Sequence, residues 1–189
     1  MYLILEGVDT SGKSTQLELL KELYPKACFT KEPGGTKLGS QIREMILHQG
    51  VSSHKTELFL FLADRAEHYQ SIVKPNNMVI SDRGFISGIA YALANHDEYD
   101  LEFLSQLNSF ALEYKKPDFV ILLETNKELI KSRLSQKSQD MIEKRGIDYL
   151  LKVQNLMKEV LQKLEINHVT IDASKSIDEI HNEIVEFIS

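Results

Sequence analysis

The residues best suited to chemistry stand near the start of the chain, in the run Gly7-Val8-Asp9-Thr10-Ser11-Gly12-Lys13-Ser14, with Thr15 directly after it. The spacing is Gly-x4-Gly-Lys-Ser, and each part has a physical task. Glycine allows tight turns and lets the backbone approach phosphate oxygens closely. Successive N–H groups at the start of a helix form an anion nest, and the helix dipole adds to it. Lys13 can reach outer phosphates as a compact cation, and the Ser14 hydroxyl is a hard oxygen ligand suited to Mg²⁺. The run therefore predicts a bound nucleoside triphosphate with magnesium; by itself it does not separate a hydrolase of the triphosphate from a kinase, and the rest of the chain must point to transfer of the terminal phosphate. Asp9 inside the loop needs a reason, because a carboxylate repels phosphates. It either bonds a substrate hydroxyl or a metal-bound water, or it is a turn residue facing solvent.

Two further clusters stand where strands are expected to end. Glu32-Pro33-Gly34-Gly35 follows the second strand, and Asp82-Arg83 ends the third. In an open parallel sheet, the loops at the carboxyl ends of the strands form the ligand crevice. Both clusters should then face the crevice that holds Gly7–Ser14. Arg83 can hold a phosphate bidentately there. Asp82 can fix waters on Mg²⁺ or orient Arg83. The competing reading of Asp82-Arg83 is a surface ion pair worth little.

These side chains need elements to hold them. Tyr2–Glu6 reads as a strand, and Ser14–Tyr24 as a helix stopped by Pro25. Ala27–Thr30 is a short strand, and Lys31–Lys37 a loop by its Pro-Gly-Gly. Leu38–Leu47 and Thr56–Val73 read as helices. Met78–Ser81 is a strand, followed by helices over Ser87–Asn95 and Leu101–Tyr114. Phe119–Leu123 is the most apolar strand, and Glu128–Gln136 is helical. Ile142–Leu164 carries an apolar stripe through Ile147, Leu150, Val153, Met157, Val160, Leu161 and Leu164, which predicts a long amphipathic helix. His168–Ile171 and Ile177–Ile188 close the chain as strand and helix. This alternation predicts an α/β fold, a five-stranded parallel sheet covered by helices on both faces in three α/β/α layers. A single domain over residues 1–189 is expected.

Composition agrees. The 189 residues are 42% hydrophobic and 26% charged, as in an ordinary globular chain rather than a disordered one. The net charge of −6 and the lack of a basic block argue against a nucleic-acid partner. The lone Cys28 excludes an intrachain disulfide and reads as a small core residue on a strand. No apolar run approaches the roughly 20 residues of a membrane span. Glu6 interrupts the apolar start Tyr2–Leu5, so no secretory signal is expected and a cytoplasmic location is.

Several motifs in one order carry a resemblance. They are Gly7–Thr15, Thr-Lys-Glu-Pro-Gly-Gly-Thr at Thr30–Thr36, Ile42-Arg43, Phe-Leu-x-x-Arg at Phe61–Arg65, Asp82–Tyr91, Lys116–Asp118 and Ile171–Ser176. Together the chain resembles the thymidylate kinase family over nearly its whole length. That resemblance implies ATP and dTMP as substrates, Mg²⁺ as cofactor, dTDP as product on the way to dTTP, and a homodimer. It also implies roles. Phe61 would stack on thymine, with Arg65 hydrogen-bonding an exocyclic oxygen; their four-residue spacing puts both on one helix face. Arg43 and Arg83 would hold the dTMP phosphate, and Asp9 would lie near the sugar hydroxyl or that phosphate. Pro33, Ser87, Gly88 and Tyr91 would line the sugar and base pocket. Read without the family, Phe61 is a core aromatic beside Leu58 and Leu62, Arg43 an exposed helix charge, and Ser87 and Gly88 capping residues. Since a phosphate acceptor is already anionic, catalysis is positioning plus charge neutralisation by Lys13, Mg²⁺ and arginine.

The chain also departs from the family pattern. One branch carries an arginine in the phosphate loop where this chain has Thr10, and other branches compensate with basic residues in a lid. The corresponding segment here, about 133–144, offers Arg133, Lys137 and Lys144, with Met141 where an arginine is usual. Arg133 reads either as the catalytic replacement or as a solvated helix residue. Gly84 and Ala92 stand where relatives carry larger polar or aromatic residues. Another nucleotide or nucleoside kinase would share the loop and Asp82-Arg83 and differ in the base pocket. A signalling GTPase would carry a guanine signature; Asn126-Lys127-Glu128-Leu129 ends in Leu129 instead of aspartate.

Overall fold

In the computed structural model, residues 1–96, 98–134 and 145–189 are described. The segment 135–144, most of the expected lid with Lys137, Met141 and Lys144, lies outside them. The described elements are β1 (Tyr2–Glu6), α1 (Lys13–Leu23), β2 (Cys28–Lys31), α2 (Lys37–Glu44), α3 (His54–His68), β3 (Val79–Asp82), α4 (Phe85–Asn95), α5 (Leu101–Ala111), β4 (Phe119–Glu124), α6 (Lys127–Leu134), α7 (Ile147–Lys163), β5 (His168–Asp172) and α8 (Ile177–Ile188). Both α2 and α3 run on into a π-helical turn, at Met45–Gln49 and Tyr69–Val73.

The five strands form one parallel sheet in the order β2-β3-β1-β4-β5. Strand period separates two cores. Leu3, Leu5, Ile121 and Leu123 face α1 and α8, meeting Leu17, Leu20, Ile180 and Ile184. Tyr2, Ile4, Val120 and Leu122 face the other way, toward Ile86, Ile89, Leu104, Val153 and Met157. Helices thus cover both faces, as the alternating pattern predicts. From β1 the chain leaves first toward β3 and β2 and later toward β4 and β5, so the reversal falls beside the carboxyl end of β1.

Several boundaries differ from expectation for local reasons. Residue Lys31 belongs to β2 rather than to the following loop. Helix α5 ends at Ala111, because Glu113 and Tyr114 adopt positive φ values of 46° and 62°. Of the helix expected over Ile142–Leu164, residues 142–144 lie outside the described residues, and among the described ones α7 has its N-cap at Gly146, with φ 100°, and its first turn at Ile147. Cys28 is half-buried on β2, against the core.

Candidate active site

The chain leaves β1 at Gly7 with φ 143°. A Cβ there would lie 2.7 Å from Ser11 Oγ and 2.8 Å from the Leu123 carbonyl oxygen, which leaves room for glycine alone. Thr10 and Gly12 take left-handed φ values of 69° and 99°, and Gly12 opens α1. Lys13 folds back over the loop, donating from Nζ to the carbonyls of Gly7 at 2.9 Å and Val8 at 3.2 Å. It is only 6% exposed. Burial, and then the nearby Arg83 charge, bring its ammonium pKa down to about 8.

In front of this loop lies a cavity of about 540 Å³. Asp9 through Gln16 form one wall, and Asp82, Arg83, Arg133 and Lys175 stand on the others. Gly7 and Val8 lie behind the wall, where they hold Lys13 and, for Val8, join the core. Asp82 Oδ1 is buried without a hydrogen-bond partner, on the same cavity as the Ser14 hydroxyl.

Arg83 follows β3 in a left-handed conformation, φ 67°. Its N–H donates to the Leu5 carbonyl at 2.8 Å, and Ser81 Oγ donates to its carbonyl at 2.7 Å, so the strained backbone is held from both sides. The guanidinium then reaches the Gly7 carbonyl at 2.7 Å, Ser87 Oγ at 3.2 Å and the Asp9 carboxylate at 3.0 Å. Its ion partner is thus Asp9. Behind it, Glu6 is fully buried and accepts from the N–H groups of Gly84 at 3.0 Å and Ser87 at 3.1 Å, and from Ser87 Oγ. A strand-end carboxylate therefore caps α4, a task the sequence reading gave to Ser87 or Gly88. Burial pushes the Glu6 carboxyl up to about 6, against the pull of Ser87.

A second, narrow cavity of about 50 Å³ gathers Asp9, Pro33, Arg43, Phe61, Arg65, Arg83, Ser87, Gly88 and Tyr91. These nine are the residues expected around a second substrate, drawn from six segments. Asp9, Glu32, Arg43 and Arg83 border both cavities. Arg43 is half-buried and donates to the Pro33 carbonyl at 3.0 Å, rather than standing free on its helix. Phe61 packs on the core, as read without the family, and also lines the cavity.

At the far end of this cavity Arg65 is 2% exposed. Its Nε lies 2.9 Å and its Nη2 2.8 Å from the same oxygen, Glu32 Oε2. The other oxygen, Oε1, is 2.7 Å from His68 Nδ1, and His68 Nε2 meets Thr30 Oγ1 at 2.8 Å. Burial works to raise the Glu32 carboxyl, but Arg65 and His68 together hold it below the usual range. Asn108 on α5 accepts from Arg65 Nη1 at 2.5 Å. His68 and Asn108 had no local signal in the sequence, since their partners lie 36 and 43 residues away; the Glu32-Pro33-Gly34-Gly35 cluster pointed Glu32 at the crevice but not at Arg65, 33 residues on.

Arg133 at the end of α6 donates to the Thr10 carbonyl at 2.6 Å and the Ala173 carbonyl at 3.4 Å. It therefore lies against the phosphate loop rather than in solvent. Arg145, beyond the undescribed segment, pairs with Glu57 at 2.9 Å and bonds Asn95 and Tyr149.

A phosphate loop at the switch point of a parallel sheet, sharing four residues with a second arginine-lined pocket, defines a P-loop enzyme of the nucleotide-kinase class. The profile of the family described as Thymidylate kinase matches residues 5–184. A protein called "Thymidylate kinase" from Sulfurovum sp. is 52% identical over 190 residues, covering 100% of this chain and 99% of the relative. Namesakes from Aliarcobacter butzleri (50% over 191 residues) and Campylobacter concisus (51% over 193 residues) likewise cover 100% of this chain and 99% of their own length. The chain belongs to the thymidylate kinase family.

Proposed function

We propose that this chain transfers the γ-phosphate of ATP to dTMP, giving ADP and dTDP, with the larger cavity as donor site and the narrower one as acceptor site. Family membership supplies the reaction. The single observation that carries the assignment of sites is the wall shared by the two cavities, in which Asp9, Arg43 and Arg83 stand between them. Two phosphates approaching from opposite sides would meet there, in line, beside fixed positive charge.

In this reading the loop N–H groups and Lys13 bind the outer phosphates of ATP. Arg83 and Arg43 hold the acceptor phosphate and offset repulsion between the two anions. Asp9 fixes Arg83 and turns its carboxylate toward the acceptor sugar. Phe61 and Arg65 read the base, against Pro33, Ser87, Gly88 and Tyr91. Arg133 steadies the donor side of the loop. The acceptor cavity is well below the ~300 Å³ of the smaller ligand sites, so dTMP must part its walls on entry.

The residues present suit a magnesium ion. The unpartnered Asp82 oxygen and the Ser14 hydroxyl share the donor cavity, and would hold Mg²⁺ directly or through water. Among the described residues no group of three or more His, Cys, Asp or Glu could hold a metal by itself, so phosphate and water would complete the shell. Bound there, Mg²⁺ neutralises charge on the transferring group.

A second copy of the chain is the expected partner. Phe59 on α3 and Phe103 and Phe110 on α5 are 62%, 48% and 75% exposed, and α3 packs on α5. Light scattering tests this; a monomer at micromolar concentration goes against it. No helix among the described residues is long and apolar enough to cross a membrane. The enzyme is expected to be cytoplasmic, single-domain and without a nucleic-acid partner, in keeping with its net charge of −6.

Calorimetric binding of each substrate tests the division of sites. Arg65→Ala should weaken dTMP while leaving ATP largely unchanged, and Lys13→Ala should weaken ATP and abolish turnover. Equal loss of both ligands in Arg65→Ala would refute the division.

A further inference from the structure

A guanidinium has five N–H groups. Those of Arg65 can be followed one by one. Nε gives one to Glu32 Oε2, with Nη2 2.8 Å from the same oxygen as an ion pair, and Nη1 gives one to Asn108 Oδ1. At least one N–H on each terminal nitrogen is left over. Both terminal nitrogens border Gly88, where a Cβ would lie 3.0 Å from each. Gly88 lines the acceptor cavity, so the absent side chain is what lets the end of the guanidinium reach it.

The grip on Arg65 is unusual in one respect. Arginine and carboxylate ordinarily meet as two forks, with two oxygens taking two N–H groups. Here His68 occupies Glu32 Oε1, so both contacts to Arg65 converge on Oε2. Two contacts to one atom leave the guanidinium able to pivot about it. The second anchor is Asn108, 1% exposed. Its Nδ2 donates to the Leu104 carbonyl at 2.7 Å, which turns Oδ1 toward Arg65 and fixes the amide orientation.

We infer that Asn108, outside the cavity lining, is a positioning residue that sets the base specificity of the acceptor site by locking the plane of Arg65. This rests on the acceptor reading above. An arginine carries donors only, and Arg65, held from two sides, presents them at a fixed place. A donor-only wall accepts the keto oxygen of a thymine-type base and leaves the amino group of cytosine facing another donor. Glu32 neutralises the guanidinium, which favours a neutral keto base over a phosphate at this end. A pivoting Arg65 would keep its donors and its neutralising partner but would no longer aim those donors at the keto oxygen.

The test is steady-state kinetics of Asn108→Leu, which keeps the volume and removes the acceptor. The KM for dTMP should rise about tenfold, as for one lost bond to a charged group. The KM for ATP should stay put, and the preference for dTMP over dCMP should fall. Asn108→Asp restores an oxygen acceptor and should recover most of the dTMP affinity. In an Arg65→Ala background, Asn108→Leu should add nothing. Should the leucine variant not fold, Asn108→Ser, which draws the acceptor back from Arg65, gives the same readout. A wild-type dTMP KM and base preference in the leucine or serine variant, with Arg65→Ala impaired, overturns the inference. If Arg65→Ala also binds dTMP normally, the acceptor reading itself fails.

Discussion

The guanidinium of Arg133 lies 2.6 Å from the main-chain oxygen of Thr10, binding the end of α6 to the phosphate loop across 123 residues of sequence. The same group reaches Ala173 at 3.4 Å, so it joins two loops on the rim of the donor cavity. A cation in that position holds the loop carbonyl away from phosphate and leaves the loop N–H groups to face it. In the proposed division of sites it stands on the ATP side.

Arg133→Ala is therefore expected to lower kcat/KM for ATP about tenfold, the effect of one lost charge-assisted hydrogen bond. The KM for dTMP should stay near its wild-type value. Steady-state kinetics with each substrate varied in turn measures both. A defect confined to dTMP would contradict the placement.

Lys13 gives a pH dependence with opposite signs for stability and activity. Its pKa in the folded chain is about 8, below the ordinary 10.5. The unfolded chain holds this proton more firmly, so the contribution to stability is present above about 10.5 and is lost as pH falls through 8. Activity needs the charged form. The kcat/KM for ATP, which reports the free enzyme, should fall as pH rises through about 8. Bound phosphates favour the ammonium, so kcat should fall at higher pH. A kcat/KM for ATP that is flat across this range would show that another group meets the phosphates.

Gly88→Ala tests the close approach to Arg65. The added methyl would stand 3.0 Å from both terminal nitrogens, and the guanidinium must shift by a few tenths of an ångström. Alanine suits the interior of α4, so stability should hold. The dTMP KM should rise several-fold, roughly the loss of part of one charged hydrogen bond, while the ATP KM does not move. An unchanged dTMP KM would mean that Arg65 does not touch the base.

Arg145 is expected to act on stability. It pairs with Glu57, whose side chain is 8% exposed, and shares Asn95 with it, while Tyr149 bonds Arg145 and Asn95. Arg145→Ala strands that carboxylate with Asn95 alone. The cost should be about 2 kcal/mol, reduced from the fully buried case by the partial exposure of Arg145. This lowers Tm by roughly 4–8 °C, readable by scanning calorimetry. An unchanged Tm would show the pair to be incidental.

The loop Gly7–Ser14 was legible because its logic is local, a strand, a tight turn and a helix start within a dozen residues. The strand pattern was legible for the same reason, since alternate residues such as Leu3 and Ile4 serve opposite cores. The acceptor residues became legible only through the resemblance; nothing in the spacing of Phe61 separates a base-stacking ring from a core ring. Glu6 was invisible as a cap, because the N–H groups it receives lie 78 and 81 residues away. Read locally, it is a charge that ends an apolar run. Asn108 and Arg145 were hidden likewise, each an ordinary polar residue until the fold supplies a partner. The start of α7 was not legible because the apolar stripe is read from Ile147 onward, whereas the N-cap is set by the φ of 100° at Gly146.

The central claim is that the two cavities serve ATP and dTMP. A coupled ADP-release assay with dTMP, dUMP, dCMP, UMP and thymidine in turn tests it most directly. The account expects the highest kcat/KM with dTMP, weaker turnover of dCMP and UMP, and no phosphorylation of thymidine, which lacks the acceptor phosphate. Preference for dCMP, UMP or thymidine over dTMP would contradict it.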